Sequence, residues 1–153
     1  MSVLVILFGL SIIGWVYLTG HAIDTGAERS VLIAAIWRHV GHGVVFTPLL
    51  IVYLLWRFTG PKTFSEKTFI VSVSRWLLGL AVVFLIITGP IVVWSYGIPL
   101  KVFDWFAIPN IIGKMPQLHT QMEAAHIQVA KATPWLAAVD AAIVFYAYRK
   151  APS

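Results

Sequence analysis

The sequence contains no cysteine. That absence excludes disulfides, iron–sulfur clusters, thiolate zinc sites and covalent haem attachment through a CxxCH motif. Charge is also scarce: only 11% of the 153 residues are Asp, Glu, Lys or Arg, where a soluble domain carries roughly 25%. With 59% hydrophobic residues and a mean hydropathy of +0.87, the chain is expected to lie in a lipid bilayer. Acids are fewer than bases, six against eleven, for a net charge of +5. In a membrane chain such an excess sets topology, and no nucleic-acid partner is expected. There is no internal repeat and no low-complexity segment, and the length fits one domain, 1–153.

Four apolar stretches, at roughly 2–20, 32–58, 70–96 and 122–149, approach the ~20 residues of a spanning helix. The first lacks a basic leading region and a small-residue cleavage site, so a retained helix is expected rather than a signal peptide. Pro48, Pro90 and Pro134 fall inside spans, where neighbouring helices can satisfy the freed carbonyls, and each is a candidate kink. The expected fold is all-α, an integral membrane four-helix bundle. The connection between spans two and three holds Arg57, Lys62, Lys67 and Arg75, and the C-terminal tail adds Arg149 and Lys150. The opposite side holds Arg29, Arg38, Lys101 and Lys114. By the positive-inside rule both termini are cytoplasmic.

The outer loop expected over 97–121 is long for a helical bundle. Phe103, Trp105 and Phe106 interleave with Lys101 and Asp104, as in a short interfacial segment. It is either an aromatic anchor at headgroup level or a lid over a site at that face.

Inside the second span stands "RHVGHG", residues 38–43. Ionisable groups at membrane depth are costly and mark functional sites. All five histidines fall on the outer half of this topology: His21 after span one, His39 and His42 early in span two, His119 in the loop, and His126 opening span four. Spans two and four enter from the same side, so His39 and His126 lie at similar depth. Facing histidines from two helices can ligate one haem iron from both sides. Gly43, four after His39, shares its face and leaves room for a flat macrocycle; Ala130, four after His126, is also small. His42, about 60° around the helix from His39, suits the haem edge or a propionate. Zinc or copper held by three or four histidines is a competing reading, without an HExxH motif or thiolates behind it. The plainest alternative has His39 and His42 bonding only to backbone or headgroups.

"HVGHGVVFTPLLIVYLLWRFTGP" resembles the second helix of the prokaryotic cytochrome b-561 family, which includes the b-type subunits of nickel–iron hydrogenases and superoxide oxidase-like proteins. The matching features are His39, Gly43, the pair Trp56-Arg57 and the run Thr59-Gly60-Pro61. The family's aromatic outer loop resembles "VFDWFAIPNIIG", and the histidine opening its fourth helix corresponds to His126. The resemblance covers roughly residues 34–150. It implies haem b with His39 and His126 as axial ligands. Members commonly hold two haems, and the inner ligands are missing here. The second histidine of helix four falls at Asp140, that of helix three at Arg75, and that of helix one would precede or coincide with Met1. A single-haem variant is expected.

That reading implies a multi-pass protein of the bacterial inner membrane. It would transfer single electrons between a periplasmic donor, either a partner dehydrogenase or superoxide, and a membrane quinone such as ubiquinone. The alternatives are a cofactor-free anchor subunit of a larger oxidoreductase, and an ion path through Lys131 and Asp140. The latter two lie nine residues apart, about 180° around a helix, and do not line one route. His126 and Asp140, fourteen apart, share a face about 21 Å apart along the axis. A buried carboxylate needs a partner. Arg75 is the first candidate and Arg57 the second, with Arg57 equally suited to a lipid phosphate; cytoplasmic water or the Tyr146 hydroxyl are the other options.

Overall fold

A computed structural model of the chain describes residues 3–21, 28–59 and 69–149. Lys62, Lys67, Gly60, Pro61, Asp24 and Lys150 lie outside them, as do the side chains of His21 and Arg29. The described residues are all-helical apart from one hairpin. Its elements are α1 (Val3–His21), α2 (Arg29–Thr59), α3 (Phe69–Tyr96), β1 (Leu100–Val102), β2 (Phe106–Ile108) and α4 (Pro116–Arg149). Among the described residues three stretches are long and apolar enough to cross a membrane: Ser30–Thr59, Phe69–Tyr96 and Pro116–Tyr146. In α1 the described apolar stretch, Gly9–Leu18, is shorter. Pro48, Pro90 and Pro134 all stand inside continuous helices.

The helices pack α3 on α4 most extensively, α1 on α2, and more lightly α1 on α4 and α2 on α3. Their shared core is Ile12, Ile13, Leu50, Tyr53, Leu54, Leu78, Val82 and Ala137. Two glycines permit the closest approaches. A Cβ on Gly9 would sit 2.4 Å from the Tyr53 ring, and one on Gly79 would sit 2.5 Å from that of Phe58. The outward surfaces are apolar, with Phe69, Ile70, Leu80, Leu55 and Val52 all more than half exposed. In water that surface would be unfavourable; against lipid tails it costs nothing.

The segment after α3 differs from the loop expected there. α4 begins at Pro116 rather than near 122. Proline at the first helical position surrenders no hydrogen bond and is preset in φ. His119 is therefore on a helix and not in a loop. Between the helices, β1 and β2 pair antiparallel, Lys101 opposite Ala107. Leu100 and Val102 point inward and are 2% and 0% exposed. The turn forces Phe103 to φ 51°, a left-handed conformation uncommon outside glycine. Asn110 ties the far side down: its Nδ2 donates to the Trp94 carbonyl at 2.7 Å, and its Oδ1 accepts from the amides of Ile112 and Gly113.

Candidate functional site

His39 on α2 and His126 on α4 face one another, ring centres 6.3 Å apart and planes at 75°. Each ring is held from behind. Nδ1 of His39 lies 3.2 Å from the carbonyl of Val16 on α1. A carbonyl only accepts, so this nitrogen carries the proton. Gly20, one turn beyond Val16, lets the ring lie against α1; a Cβ there would be 3.1 Å from it. Nδ1 of His126 lies 2.8 Å from Thr88 Oγ1. The Thr88 hydroxyl gives its own proton to the Phe84 carbonyl at 2.8 Å, so its oxygen accepts and His126 also carries its proton on Nδ1. Both imidazoles thus have the Nε2 lone pair as their basic site. Metal-binding histidines are arranged in this way, with the second nitrogen donating to a carbonyl or hydroxyl that fixes tautomer and orientation. Neither Val16, Gly20 nor Thr88 carries a signal in the sequence. A carbonyl acceptor leaves no trace in residue type, and Thr88 reads as one more helix threonine.

The spacing suits one metal between the rings. Imidazole nitrogen binds metal at about 2 Å, which sets two axial ring centres on the order of 6 Å apart. Two glycines lie near the rings. A Cβ on Gly43 would meet nothing within 4 Å, and one on Gly89 would be 3.6 Å from the His126 ring. Donor chemistry and ring separation fit a haem b that His39 and His126 would hold. Among the described residues no group of three or more His, Cys, Asp or Glu gathers to hold a metal, so the zinc or copper constellation has no counterpart there.

The remaining histidines have other surroundings. His42 Nδ1 donates to the Arg38 carbonyl at 2.7 Å. Its ring stacks on Phe46, with the edges of Phe103 and Trp15 at 5.1 and 5.7 Å. The hairpin reaches this ring through Phe103, and Gly41 makes that possible: a Cβ there would stand 2.9 Å from the Phe103 ring. The hairpin is therefore clamped onto α2 beside His42, with Trp105 at 72% exposure on its outer side. Lys101 rests over Trp37, 5.6 Å from its centre. His119 Nδ1 donates to the Val92 carbonyl at 3.0 Å, and its Nε2 lies 3.7 Å from Glu123. It fastens α4 to α3 and stands apart from the His39–His126 pair.

Asp140, 0% exposed, is paired with Arg57, the second of the two candidate arginines. Arg57 Nη2 donates to Oδ2, and Ser74 Oγ donates to Oδ1 at 2.9 Å. Arg57 Nη1 donates to the Tyr53 hydroxyl at 2.6 Å. Arg57 is 2% exposed, so a lipid phosphate is not its partner. It lies eighteen residues after His39, five whole turns, and so on the face that α2 turns to α4. Arg75, next to Ser74 on α3, is also buried, at 4%. Compared with family models, with curated proteins and with solved structures, the chain matches none.

Proposed function

We propose that this chain is a b-type cytochrome of the bacterial inner membrane. In this reading it is a four-helix bundle with both termini cytoplasmic. One haem b lies between His39 and His126 near the outer face. The protein passes single electrons between a periplasmic donor, a partner dehydrogenase or superoxide, and a membrane quinone. The observation that carries this reading is the facing imidazole pair, each ring fixed as the Nδ1–H tautomer by its own acceptor. When bound, haem with two imidazoles supplies a one-electron couple whose filled axial positions disfavour oxygen binding. Val16 and Thr88 orient the rings and raise the basicity of Nε2. Gly43 leaves space on the ligand face, and Gly20 lets His39 back against α1. Lys101 and Lys114, both exposed, would raise the encounter rate of an anionic donor, since surface charge steers approach.

The test is spectroscopic. Protein purified from haem-replete cells should be red, with a low-spin spectrum and one haem per chain. His39→Ala or His126→Ala should abolish that spectrum, and His42→Ala should keep it. A colourless wild-type protein would favour the cofactor-free anchor instead. Retention in His39→Ala with loss in His42→Ala would overturn the ligand assignment.

A further inference from the structure

The segment between α3 and α4 is tied to the sides of helices and is not laid across their ends. Phe103, at the turn of the β1–β2 hairpin, presses its ring on Gly41 of α2, where a Cβ would stand 2.9 Å away. Gly41 is the twelfth residue of the apolar stretch Ser30–Thr59, about 16 Å along the helix from its start. Lys101 lies over the Trp37 ring, one turn nearer that start. Asn110 donates to the Trp94 carbonyl at 2.7 Å, and the Met115 amide donates to the Ser95 carbonyl at 2.8 Å. Trp94 and Ser95 belong to the last turn of the apolar stretch Phe69–Tyr96. The segment therefore runs beside two helices that are fit to cross a membrane, within their apolar length.

Its outward surface is apolar. Trp105 is 72% exposed, Phe106 55%, Ile111 71%, Ile112 37% and Met115 47%, while Leu100 and Val102 turn inward. Ala107, Pro109 and Gly113 between them are exposed and uncharged, and Asp104 and Lys114 are the only charges from 103 to 115. Irregular backbone tolerates lipid only where its polar groups are satisfied. Here β1 and β2 pair with each other, and the Trp105 amide closes their turn on the Val102 carbonyl at 3.1 Å. Asn110 Oδ1 takes the amides of Ile112 and Gly113. Pro99, Pro109 and Pro116 have no amide proton to satisfy. With Gly113 at φ 76°, the Asn110 side chain holds Ile111 and Ile112 out as a fixed tip.

We propose that residues 103–115 form a wedge in the phospholipid leaflet at the His39–His126 end of the molecule, with the lipid itself as the partner of this surface. Trp105, Phe106, Ile111, Ile112 and Met115 enter the upper acyl region, and tryptophan is a residue that membrane interfaces favour. The two charges set the depth, because both must stay among the headgroups. Lys114 reaches them by laying its stem on Gly97, where a Cβ would be 3.1 Å from its own, and letting the ammonium snorkel to water. A soluble protein is the poorer partner, since it would have to reach a surface level with the last turn of α3, where lipid surrounds the helices. The segment is thus an anchor; a lid would rest on the helix ends. The proposal needs the helices to lie in a membrane and does not depend on the haem.

Because the chain lacks cysteine, single cysteines can carry a nitroxide label. Trp105→Cys, Ile111→Cys, Leu80→Cys and Glu28→Cys would be labelled and reconstituted in phosphatidylcholine vesicles. Power saturation then compares collisions with oxygen, which concentrates in lipid, and with a nickel chelate, which stays in water. Leu80, 60% exposed on α3, is the lipid reference, and Glu28, exposed just before α2, is the water reference. The labels at 105 and 111 should show an oxygen-to-nickel ratio severalfold above that at 28. A ratio at either position no higher than at 28 would overturn the proposal and leave the surface to a soluble partner. Trp105→Ser together with Ile111→Ser should raise nickel access to a label placed by Ile112→Cys, while the Leu80→Cys label keeps its ratio. An unchanged label at 112 would also overturn the proposal, because insertion would not then depend on these side chains. Helix content by circular dichroism checks that each variant is folded before its label is read.

Discussion

α2 and α4 meet at two levels, and the two are built in opposite ways. At one level His39 faces His126; at the other, about 27 Å further along α2, Arg57 faces Asp140. The ion-pair level is closed. Both carboxylate oxygens are taken by side chains of the same protein, the arginine is also bonded to Tyr53, and Gly9 draws α1 against the Tyr53 ring. The histidine level is held behind the rings, and in our proposal it opens in front of them to a haem. Each Nδ1 is occupied by a protein acceptor, which leaves Nε2 as the basic nitrogen of each ring, and a Cβ on Gly43, one turn from His39, would meet nothing within 4 Å. A polar group at membrane depth must be satisfied by something. The ion-pair level does so from within the chain for every polar atom but Arg57 Nε, which is buried with no hydrogen-bond partner, and in our proposal the histidine level receives a group from outside the chain.

The largest expected effect comes from breaking the closed level. Asp140→Ala strands Arg57 as an uncompensated buried charge, which typically costs about 3–5 kcal/mol. Replacing both partners with apolar residues, Arg57→Met with Asp140→Leu, should recover most of that loss, because a well-packed apolar pair avoids the desolvation cost. Unfolding in mixed micelles measures both. If Asp140→Ala is as stable as the wild type, the ion pair does not hold the two helices together and the contrast between levels fails. Haem quantitation sharpens the same contrast: a level filled by Arg57, Asp140, Ser74 and Tyr53 offers no imidazole, so one haem per chain is expected and two would refute the single-haem reading.

Next in size is Gly9→Ala. The new methyl would lie within 2.6 Å of three atoms of the Tyr53 ring, and a ring held by a hydrogen bond to Arg57 cannot easily move aside. Overpacking of this kind costs about 1–3 kcal/mol. A loss near zero would mean that α1 can back away from α2 freely, and that the Tyr53–Arg57 contact does not depend on it.

Thr88→Val probes the open level without touching a ligand. It removes the acceptor of His126 Nδ1 while keeping the shape of the side chain. The stability of the haem-free protein should change by only about 0.5–1.5 kcal/mol. Haem affinity should fall about 10–100-fold, the usual consequence of losing an outer hydrogen bond to a metal-binding histidine. Thr88→Ser, which restores the oxygen, should recover affinity. Equal haem affinity in all three proteins would leave Thr88 as a helix-internal hydroxyl with no part in orienting the ring.

Much of this arrangement is legible in the sequence, and the failures have physical causes. Hydropathy locates the apolar helices because lipid imposes length and composition on each of them separately. The fourteen residues from His126 to Asp140 put both on one face by helix arithmetic alone. What periodicity cannot supply is the rotation of one helix against its neighbour. Arg57 and Arg75 stand at the same end of the molecule, and only packing decides that Arg57 turns towards Asp140 while α3 contributes Ser74. The start of α4 is misplaced because residues 116–121, "PQLHTQ", are polar and read as loop by hydropathy, although Pro116 is a sound helix start. The hairpin escapes because three-residue strands carry almost no alternation. Its one available sign is Gly41, whose missing side chain makes room for the Phe103 ring.

Gly43→Ala is the smallest change and separates the two levels most cleanly. A Cβ at Gly9 collides with a ring, whereas one at Gly43 meets nothing within 4 Å. Within a helix, alanine is favoured over glycine by about 0.8–1 kcal/mol. The haem-free variant should therefore be as stable as the wild type or slightly more so, the reverse of Gly9→Ala. Haem loading should move the other way, because the added methyl lies on the face that His39 shares, four residues on. Titration of the haem-free protein with haem, followed in the Soret region, would show weaker binding or a shifted spectrum. If the variant loses stability, the space in front of His39 is already filled by the protein itself. If it gains stability and binds haem unchanged, Gly43 faces lipid and the open side of the site lies on another face of α2.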